Sequence, residues 1–286
     1  PPSLVDPGAF NALFRPVLTR SANLTSVVAG TTSGQGWLLL RQADGSWRNR
    51  FTDIPRQGQL QRFLEWRDDE TPRSRSEEID YDPRERAWFK AAMTDAPGTI
   101  HWTAPYTFFT TGDPGITASI RTLLPGGESF VIGFDLMLRD LSLASMNTTV
   151  TPNGLTLMLT DDLRVLSLPR PPAGAPLADW SRKVLKPAAE LGIDAIDAAL
   201  GAWQQAGSAT DAIIPFRSGG SNWLLTMRPY PLGANTFMVL VLAPERDLHP
   251  AWGAIVTVLA LGIVGVLLLA ALVAHRQARR IALPLE

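Results

Sequence analysis

The chain has 286 residues, 45% of them hydrophobic, which is enough for one large or two modest domains with a real core. A formal net charge of -1 excludes the strongly basic surface that nucleic-acid-binding proteins present, so no nucleic-acid partner is expected. The absence of cysteine excludes disulfides, thiolate catalysis and cysteine-ligated metals. The three histidines lie far apart in sequence and do not form the pattern of a metal site, so we expect neither a metal nor a cofactor.

The first 150 residues contain short apolar, β-branched runs separated by turn signals. The dipeptide Asp44-Gly45 is typical of a tight hairpin turn. The charged stretch 62–78 is interpreted as a solvated insertion. A helix is predicted over 82–93, with Asp82 at the cap and Pro83 in the first turn. The other predicted elements are strands at 24–29, 36–41, 47–51, 106–109, 115–123 and 129–134 and a connecting helix at 140–146.

Residues 151–248 repeat this order more compactly. Both halves begin with predicted strands, continue with helical patterning and end with three strands, which predicts an α+β fold of antiparallel sheets with helices on one side. We therefore expect two modules, 1–150 and 151–248. In the second, strands are predicted at 155–160, 163–168, 212–216, 222–228 and 236–242, and helices at 180–191 and 193–205.

Residues 251–274 run for 24 positions without a charge, which at about 1.5 Å per residue predicts a transmembrane helix. His275, Arg276, Arg279 and Arg280 follow it, so its C-terminal end is expected in the cytoplasm and residues 1–250 outside the inner membrane. Trp252 lies where an interfacial anchor is expected. Export of so large a region requires a signal peptide or a first membrane helix, which we expect before Pro1.

Three segments carry a resemblance to a known family: YDPRERAWFK at 81–90, APYTFFTTGDPGITASIR at 104–121 and FVIGFDL at 130–136. They resemble the double Cache extracellular sensor family, over roughly residues 20–245. The resemblance implies two stacked PAS-like modules, with a small ligand usually bound in the membrane-distal one, here 1–150. Residues 151–248 would then be membrane-proximal. The segment ARRIALPLE at 278–286 is similar to the start of a HAMP linker, which we place at 275–286.

A pocket for a small polar ligand needs a few directed donors and acceptors among apolar walls. A guanidinium can hold a carboxylate through two parallel hydrogen bonds, and an indole N–H adds another. Arg86 and Trp88 could line one pocket only if the helix ends or bends near Arg86. In amino-acid-binding members of the family, the residues at the positions of Tyr81, Arg86 and Trp88 hold the ligand carboxylate, and those at the positions of Tyr106 and Asp135 hold its amino group.

Phe108 occupies a position where the resemblance implies a second acid, which favours an altered ligand. A purely structural interpretation is also open. In it, Arg86 pairs with Asp82 or Glu85 on the surface, Trp88 belongs to the core, and Asp135 caps the helix that follows its strand.

The interpretation that these features favour is a chemoreceptor-like sensor. It binds an amino acid, an amine or a carboxylate, forms a homodimer in the inner membrane, and signals through HAMP. The alternative is a membrane-anchored binding or adhesion module without signalling output. No nucleophile and base are arranged for catalysis in the sequence. Any enzymatic activity is expected in a cytoplasmic module after Glu286, such as a histidine kinase, a cyclase or a phosphatase, among which the sequence does not decide.

Overall fold

A computed structural model describes residues 7–21, 23–68, 70–148 and 150–248. Within these ranges, no helix is long and apolar enough to cross a membrane. The predicted transmembrane segment 251–274 and the HAMP-like segment 275–286 lie outside the described residues.

The N-terminal sheet is the larger of two antiparallel sheets. Among the described residues it has nine strands, and every pairing between them is antiparallel. Its strands are β1 (Ser26–Thr31), β2 (Gln35–Arg41), β3 (Trp47–Asp53), β4 (Leu60–Trp66), β5 (Arg73–Glu78), β6 (Ile100–Trp102), β7 (Tyr106–Thr107), β8 (Pro114–Leu123) and β9 (Ser129–Met137).

The strand order is β5-β4-β3-β2-β1-β9-β8-β6, and β7 pairs with β8. This order places β1 and β9, which come from the two ends of the region, side by side at the centre. The helices of this region are α1 (Pro7–Arg20), α2 (Ile54–Gln57), α3 (Ala87–Thr94) and α4 (Leu138–Asn147), with a 3₁₀ turn at Pro83–Glu85.

Each face of the N-terminal sheet is covered by a helix. On one face, Phe10, Phe14 and Leu18 of α1 pack against Trp37 and Trp47. On the opposite face α3 buries Trp88, Phe89 and Ala92 against Val28, Leu38 and Leu40. Because side chains alternate between the two faces of a strand, β1 and β2 contribute to both clusters and are buried along most of their length. Helix α1 was not predicted from the sequence.

The C-terminal sheet has five strands among the described residues, again antiparallel, in the order β11-β10-β14-β13-β12. Helix α6 packs its apolar face on this sheet and closes a core centred on Leu157, Leu240 and Ile196. The elements are β10 (Leu155–Leu159), β11 (Val165–Ser167), α5 (Leu177–Ser181), a 3₁₀ turn at Ala188–Leu191, α6 (Asp194–Gln205), β12 (Ile214–Ser218), β13 (Ser221–Leu232), β14 (Asn235–Pro244) and α7 (Glu245–Leu248).

Helix α4 joins the two sheets. It starts directly after β9, and Ser142 and Ser145 on it hydrogen-bond to the Leu168 N–H and the Ser167 hydroxyl beside β11. An apolar cluster of Ile116, Leu138, Leu166 and Phe237 fills the junction. The predicted α+β fold of antiparallel sheets is confirmed.

The stretch 62–78, which was predicted to be a solvated insertion, instead forms much of β4 and all of β5. Phe63 and Trp66 are buried, so β4 belongs to the sheet despite its charges. The guanidinium of Arg75 on β5 lies 4.1 Å from the centre of the Phe63 ring on β4, so the charged edge strand covers a buried aromatic side chain of its neighbour. Strand β5 is exposed along its whole length and forms the edge, where charged residues discourage pairing with other chains.

Two other predicted elements were wrong in extent. The helix predicted over 180–191 ends at Ser181, and a separate 3₁₀ turn begins after Pro187. A continuous helix through this proline is disfavoured, because a proline restricts the helical conformation of the residue before it. The segment PYPLGAN at 229–235, which separates the strands predicted at 222–228 and 236–242, is mostly strand. Its first four residues continue β13 as far as Leu232, leaving only Gly233 and Ala234 in the turn.

Candidate functional site

The segment before α3 is held against the sheet by two glycines. Asp82 accepts a hydrogen bond from the Arg84 N–H at 2.9 Å and so caps the 3₁₀ turn that Pro83 begins. Pro83 lies against Gly30 and Gly36, which face each other on β1 and β2. A Cβ on Gly30 would stand only 3.0 Å from the Pro83 Cβ and 3.2 Å from the Trp88 ring. The absence of side chains at this pair is what lets the turn approach the sheet.

The helix predicted over 82–93 is interrupted at Arg86. The 3₁₀ turn ends at Glu85, Arg86 is extended with φ -82° and ψ 147°, and α3 begins at Ala87. An uninterrupted helix would point residues two apart in different directions. The break allows Arg86 and Trp88 to line the same cavity, as the sequence argument required.

The six predicted residues converge on one small cavity on the α3 side of the N-terminal sheet. Its volume is about 30 Å³, close to the space one water takes and far below the pockets of about 300 Å³ or more that usually hold drug-sized ligands. Thr110 and Thr111 form a wall between it and a larger open groove. The predicted residues around the cavity are Tyr81, Arg86, Trp88, Tyr106, Phe108 and Asp135. Their role in binding stays a prediction.

Asp135 supplies a buried carboxylate from the central strand β9. Ser26 donates a hydrogen bond to its Oδ2 at 2.6 Å, and Thr117 donates one to its Oδ1 at 2.6 Å. Burial raises the pKa of Asp135 to about 6, although the two hydroxyls and the Arg50 charge act in the opposite direction. Asp135 does not cap α4, whose N-cap is Met137 without a side-chain hydrogen bond.

Tyr106 extends the same hydrogen-bond chain. Its hydroxyl lies 2.6 Å from the Thr117 oxygen. Because Thr117 gives its one hydroxyl hydrogen to Asp135, Tyr106 must be the donor to Thr117. Burial raises the pKa of Tyr106 well above its usual value, so the phenol stays protonated and neutral.

Phe108 is fixed against its neighbours rather than free in the cavity. Its ring packs edge-on against Tyr106 with the ring centres 5.1 Å apart, and the residue is only 6% exposed. Gly115, which pairs with Tyr106 across β7 and β8, leaves the space that the ring fills, since a Cβ there would overlap it. The position where the resemblance implies a second acid is therefore closed by an apolar ring.

Arg50 is a site residue that sequence reasoning missed. It lies on β3 and is only 3% exposed, and its guanidinium carbon stands 3.5 Å from the centre of the Tyr81 ring. Its Nη1 donates to Thr110 at 3.0 Å, whereas its Nε has no hydrogen-bond partner among the described residues. Burial lowers the pKa of Arg50, with the nearby Arg86 charge adding to the effect. Alternation along WRNRFTD could have shown that Arg50 faces away from Trp47 and Phe51.

Arg86 meets aromatic rings instead of acids. Its guanidinium lies 5.0 Å from the centre of the Phe109 ring and 5.7 Å from that of Tyr81. The acids proposed as its surface partners are taken by other cations, because Asp82 pairs with Arg84 and Glu85 pairs with Lys90. Trp88 is buried, as the structural interpretation also expected, but it lines the cavity as well.

Comparisons by sequence give no match: no protein-family model fits the chain, and no curated protein is significantly similar to it. Similarity is found among solved structures, several of which share only 15–18% sequence identity with this chain.

One is the ligand-binding domain of the Campylobacter jejuni chemoreceptor Tlp3 in complex with 4-methylisoleucine, at a TM-score of 0.50 and 15% identity, covering 86% of this chain and 76% of that one. A second is the ligand-binding domain of the Pseudomonas aeruginosa amino acid chemoreceptor PctB in complex with L-Arg, at a TM-score of 0.49 and 16% identity, covering 86% of this chain and 81% of that one. A third is the ligand-binding domain of the Pseudomonas fluorescens chemoreceptor CtaA in complex with L-serine, at a TM-score of 0.48 and 18% identity, covering 84% of this chain and 81% of that one. At such identities the Tlp3 likeness concerns the fold alone, and in fold this chain is similar to a chemoreceptor ligand-binding domain.

Proposed function

We propose that this chain is the ligand-sensing, extracytoplasmic region of a bacterial transmembrane receptor. It binds an amino acid, an amine or a carboxylate in the membrane-distal module and signals through the helix 251–274 and the HAMP-like segment 275–286 to a cytoplasmic output module. One observation carries the proposal. Residues from four separate parts of the chain place two guanidiniums and one carboxylate around a single cavity with aromatic walls.

The arrangement is poorly suited to a purely structural role. Burying a charged group without full hydrogen bonding lowers stability, and Arg50 is buried with its Nε unpaired among the described residues. A core selected only for stability would carry an apolar side chain at that place. Stability is commonly sacrificed at binding sites, because a ligand supplies the missing hydrogen bonds and charge.

The path for a signal starts at the carboxylate of the site. Asp135 lies two residues before the end of β9, and α4 follows that strand directly into the junction with the C-terminal sheet. The C-terminal sheet then ends in β14 and α7, just before residues 251–274. A ligand that favours one of two packings at the junction would shift the population of signalling states.

The proposal is tested by calorimetric titration of the full chain, purified in detergent, against amino acids, amines and carboxylates. A compound should bind, and at about 100 times its Kd it should stabilise the protein by about 2.7 kcal/mol. Arg86→Ala should weaken binding at least tenfold, since a charge-assisted hydrogen bond contributes about 1.5–3 kcal/mol.

The matched control is Arg228→Ala, which removes an exposed arginine of the C-terminal sheet that pairs with Asp211. This variant should bind like the unaltered chain. Equal binding by the Arg86→Ala variant, or no binding by any of the three compound classes, would contradict the proposal.

A further inference from the structure

The cavity holds more positive than negative charge. The Arg50 and Arg86 guanidiniums both face the rings of Tyr81 and Phe109, at 3.5 to 5.7 Å from the ring centres. Asp135 is the one carboxylate among the described residues that line the cavity. Two positive charges against one negative charge leave the site in need of one more negative charge.

The guanidiniums also have hydrogen-bond donors to spare. Among the described residues, Arg86 has neither a hydrogen-bond acceptor nor an ion pair, and the Nε of Arg50 has no acceptor. A guanidinium N–H binds carboxylate oxygens best, because the oxygens supply both the acceptor and the opposite charge. A carboxylate ligand would therefore satisfy the free donors and bring the charge of the site to zero.

An ammonium group finds much less in this cavity. Asp135 already accepts hydrogen bonds from Ser26 and Thr117 on both of its oxygens. Phe108 is held by Gly115 and Tyr106 and can neither accept a hydrogen bond nor balance a charge. A zwitterionic amino acid would also leave the total charge of the site positive, because its own charges cancel.

Resting on the proposed function, we infer that this site selects small organic carboxylates that carry no ammonium group over amino acids and amines. The apolar part of the wall, from Val28, Leu40 and Phe108, suits a short hydrocarbon tail better than an inorganic anion. A volume of about 30 Å³ is close to that of one water, so even the smallest acids enter only when the side chain of Phe109, a residue that is 41% exposed, moves outward.

The test compares pairs of probes that differ only by an α-ammonium group: acetate with glycine, propanoate with L-alanine, and succinate with L-aspartate. Calorimetric titrations on the full chain in detergent at pH 7.5 should give the acid of at least one pair an affinity at least tenfold above that of its amino acid. Methylamine and inorganic phosphate serve as a lone cation and a lone anion and should bind more weakly than the acids. Equal or tighter binding of the amino acids, of methylamine or of phosphate overturns the inference.

A substitution at Phe108 makes the test sharper. Phe108→Asp restores an acid, so the ratio of propanoate affinity to L-alanine affinity should fall at least tenfold relative to the unaltered chain. An unchanged ratio in the folded variant overturns the inference. Because a buried aspartate can prevent folding, a second variant, Arg50→Gln, removes one guanidinium and should weaken propanoate binding at least tenfold.

Arg182→Gln is the matched control for the second variant, because Arg182 has an 81% exposed side chain in the C-terminal region. Its affinity for propanoate should equal that of the unaltered chain, and an Arg50→Gln variant that behaves like it overturns the inference. The two proposals fail in different ways. Tight binding of amino acids overturns the carboxylate selectivity and leaves the sensor function standing, whereas absence of binding in every class removes both.

Discussion

The two sheets of this molecule differ in how many polar and charged side chains they bury. Among the described residues, the N-terminal sheet region buries most of the polar side chains, including the charged Arg50, Asp53 and Asp135. The buried polar residues of the C-terminal region are Thr151 and Ser167, and the rest of its core is apolar. The same α+β plan therefore supports a charged cavity in one region and a continuous apolar core in the other.

Under the proposed function, this difference separates two tasks that conflict in one core. A binding site needs charges with spare hydrogen-bonding capacity, which lowers stability. A region that passes on a movement needs a tightly packed interior, because packed cores switch between discrete arrangements instead of deforming gradually. We expect substitutions to affect stability most in the C-terminal core and ligand binding most in the N-terminal cavity.

The largest effect is expected in the C-terminal core. Leu240 is fully buried on β14 between Leu157 and Met227 of the neighbouring strands. Leu240→Ala should lower the free energy of unfolding by about 2–5 kcal/mol, the usual result of leaving a cavity in a packed core. Urea denaturation measures the loss, and titration should show ligand affinity in the N-terminal cavity changed less than twofold.

Leu177→Ala gives the comparison, because Leu177 is 50% exposed and should lose only about 0.5 kcal/mol. A loss below about 1 kcal/mol in Leu240→Ala would mean that the C-terminal core is loosely packed, and the contrast between the sheets would fail.

The second effect concerns the buried carboxylate of the N-terminal cavity. The pKa of Asp135 is about 6 in the folded chain against an ordinary value of 3.8. The folded state therefore binds this proton more tightly than the unfolded state. The stabilising effect of the protonated form is complete below pH 3.8 and is lost as the pH rises to 6, which amounts to about 3 kcal/mol.

Comparison with Asp135→Asn isolates this group from carboxylates such as Asp82, whose lowered pKa values act in the opposite direction. The variant should be the more stable protein at pH 7, and its advantage should vanish near pH 4. Urea denaturation at several pH values provides the curve. A difference between the two proteins that stays constant from pH 4 to 7 would show that Asp135 titrates normally.

Periodicity and turn chemistry were enough to predict most strands. The strand predicted at 155–160 was off by one residue. The three strands predicted at the end of each half were found in the predicted order, although β6 at Ile100–Trp102 was missed. The prediction failed at residues 62–78, where many charged residues were taken as a sign that the segment is exposed to solvent. Strand β4 has the sequence LQRFLEW, in which charged residues share both faces of the strand with buried apolar ones. Glu65 lies on the same face as Phe63, and Arg62 lies on the same face as Trp66. Helix α1 was missed because Pro16 interrupts a pattern that packing onto Trp37 nevertheless stabilises.

Residues of the candidate site could be predicted where they belong to a motif in one stretch or where the family resemblance points to them. Tyr81, Arg86 and Trp88 stand close in sequence, and family resemblance carried Tyr106, Phe108 and Asp135 with them. Arg50 is not part of a motif of neighbouring residues. Its position beside Tyr81 depends on the pairing of β3 with β2 and on the packing of Pro83 against two glycines of the sheet. Such long-range pairings are fixed by tertiary packing, which no local pattern reports.

A third, smaller effect tests how firmly Phe108 is held. Gly115→Ala would put a Cβ into the ring of Phe108 and 2.7 Å from the Leu136 carbonyl oxygen. Overpacking of this kind lowers the free energy of unfolding by about 1–3 kcal/mol. Adding Phe108→Ala should recover part of the loss, giving a coupling of at least about 1 kcal/mol in a double-mutant cycle followed by urea denaturation. Additive losses would mean that the ring does not depend on the glycine.

The smallest effect is expected from a glycine-to-alanine substitution in the C-terminal region, which should stabilise the protein instead of destabilising it. Gly201 lies within α6, and a Cβ built there has no atom within 4 Å. Gly201→Ala should raise the free energy of unfolding by about 0.5–1 kcal/mol, because alanine restricts the unfolded chain and favours the helix. Urea denaturation of the Gly115→Ala and Gly201→Ala variants side by side measures both signs. If Gly201→Ala instead destabilised the protein, the face of α6 that carries Gly201 would have to be packed, contrary to the open space around it.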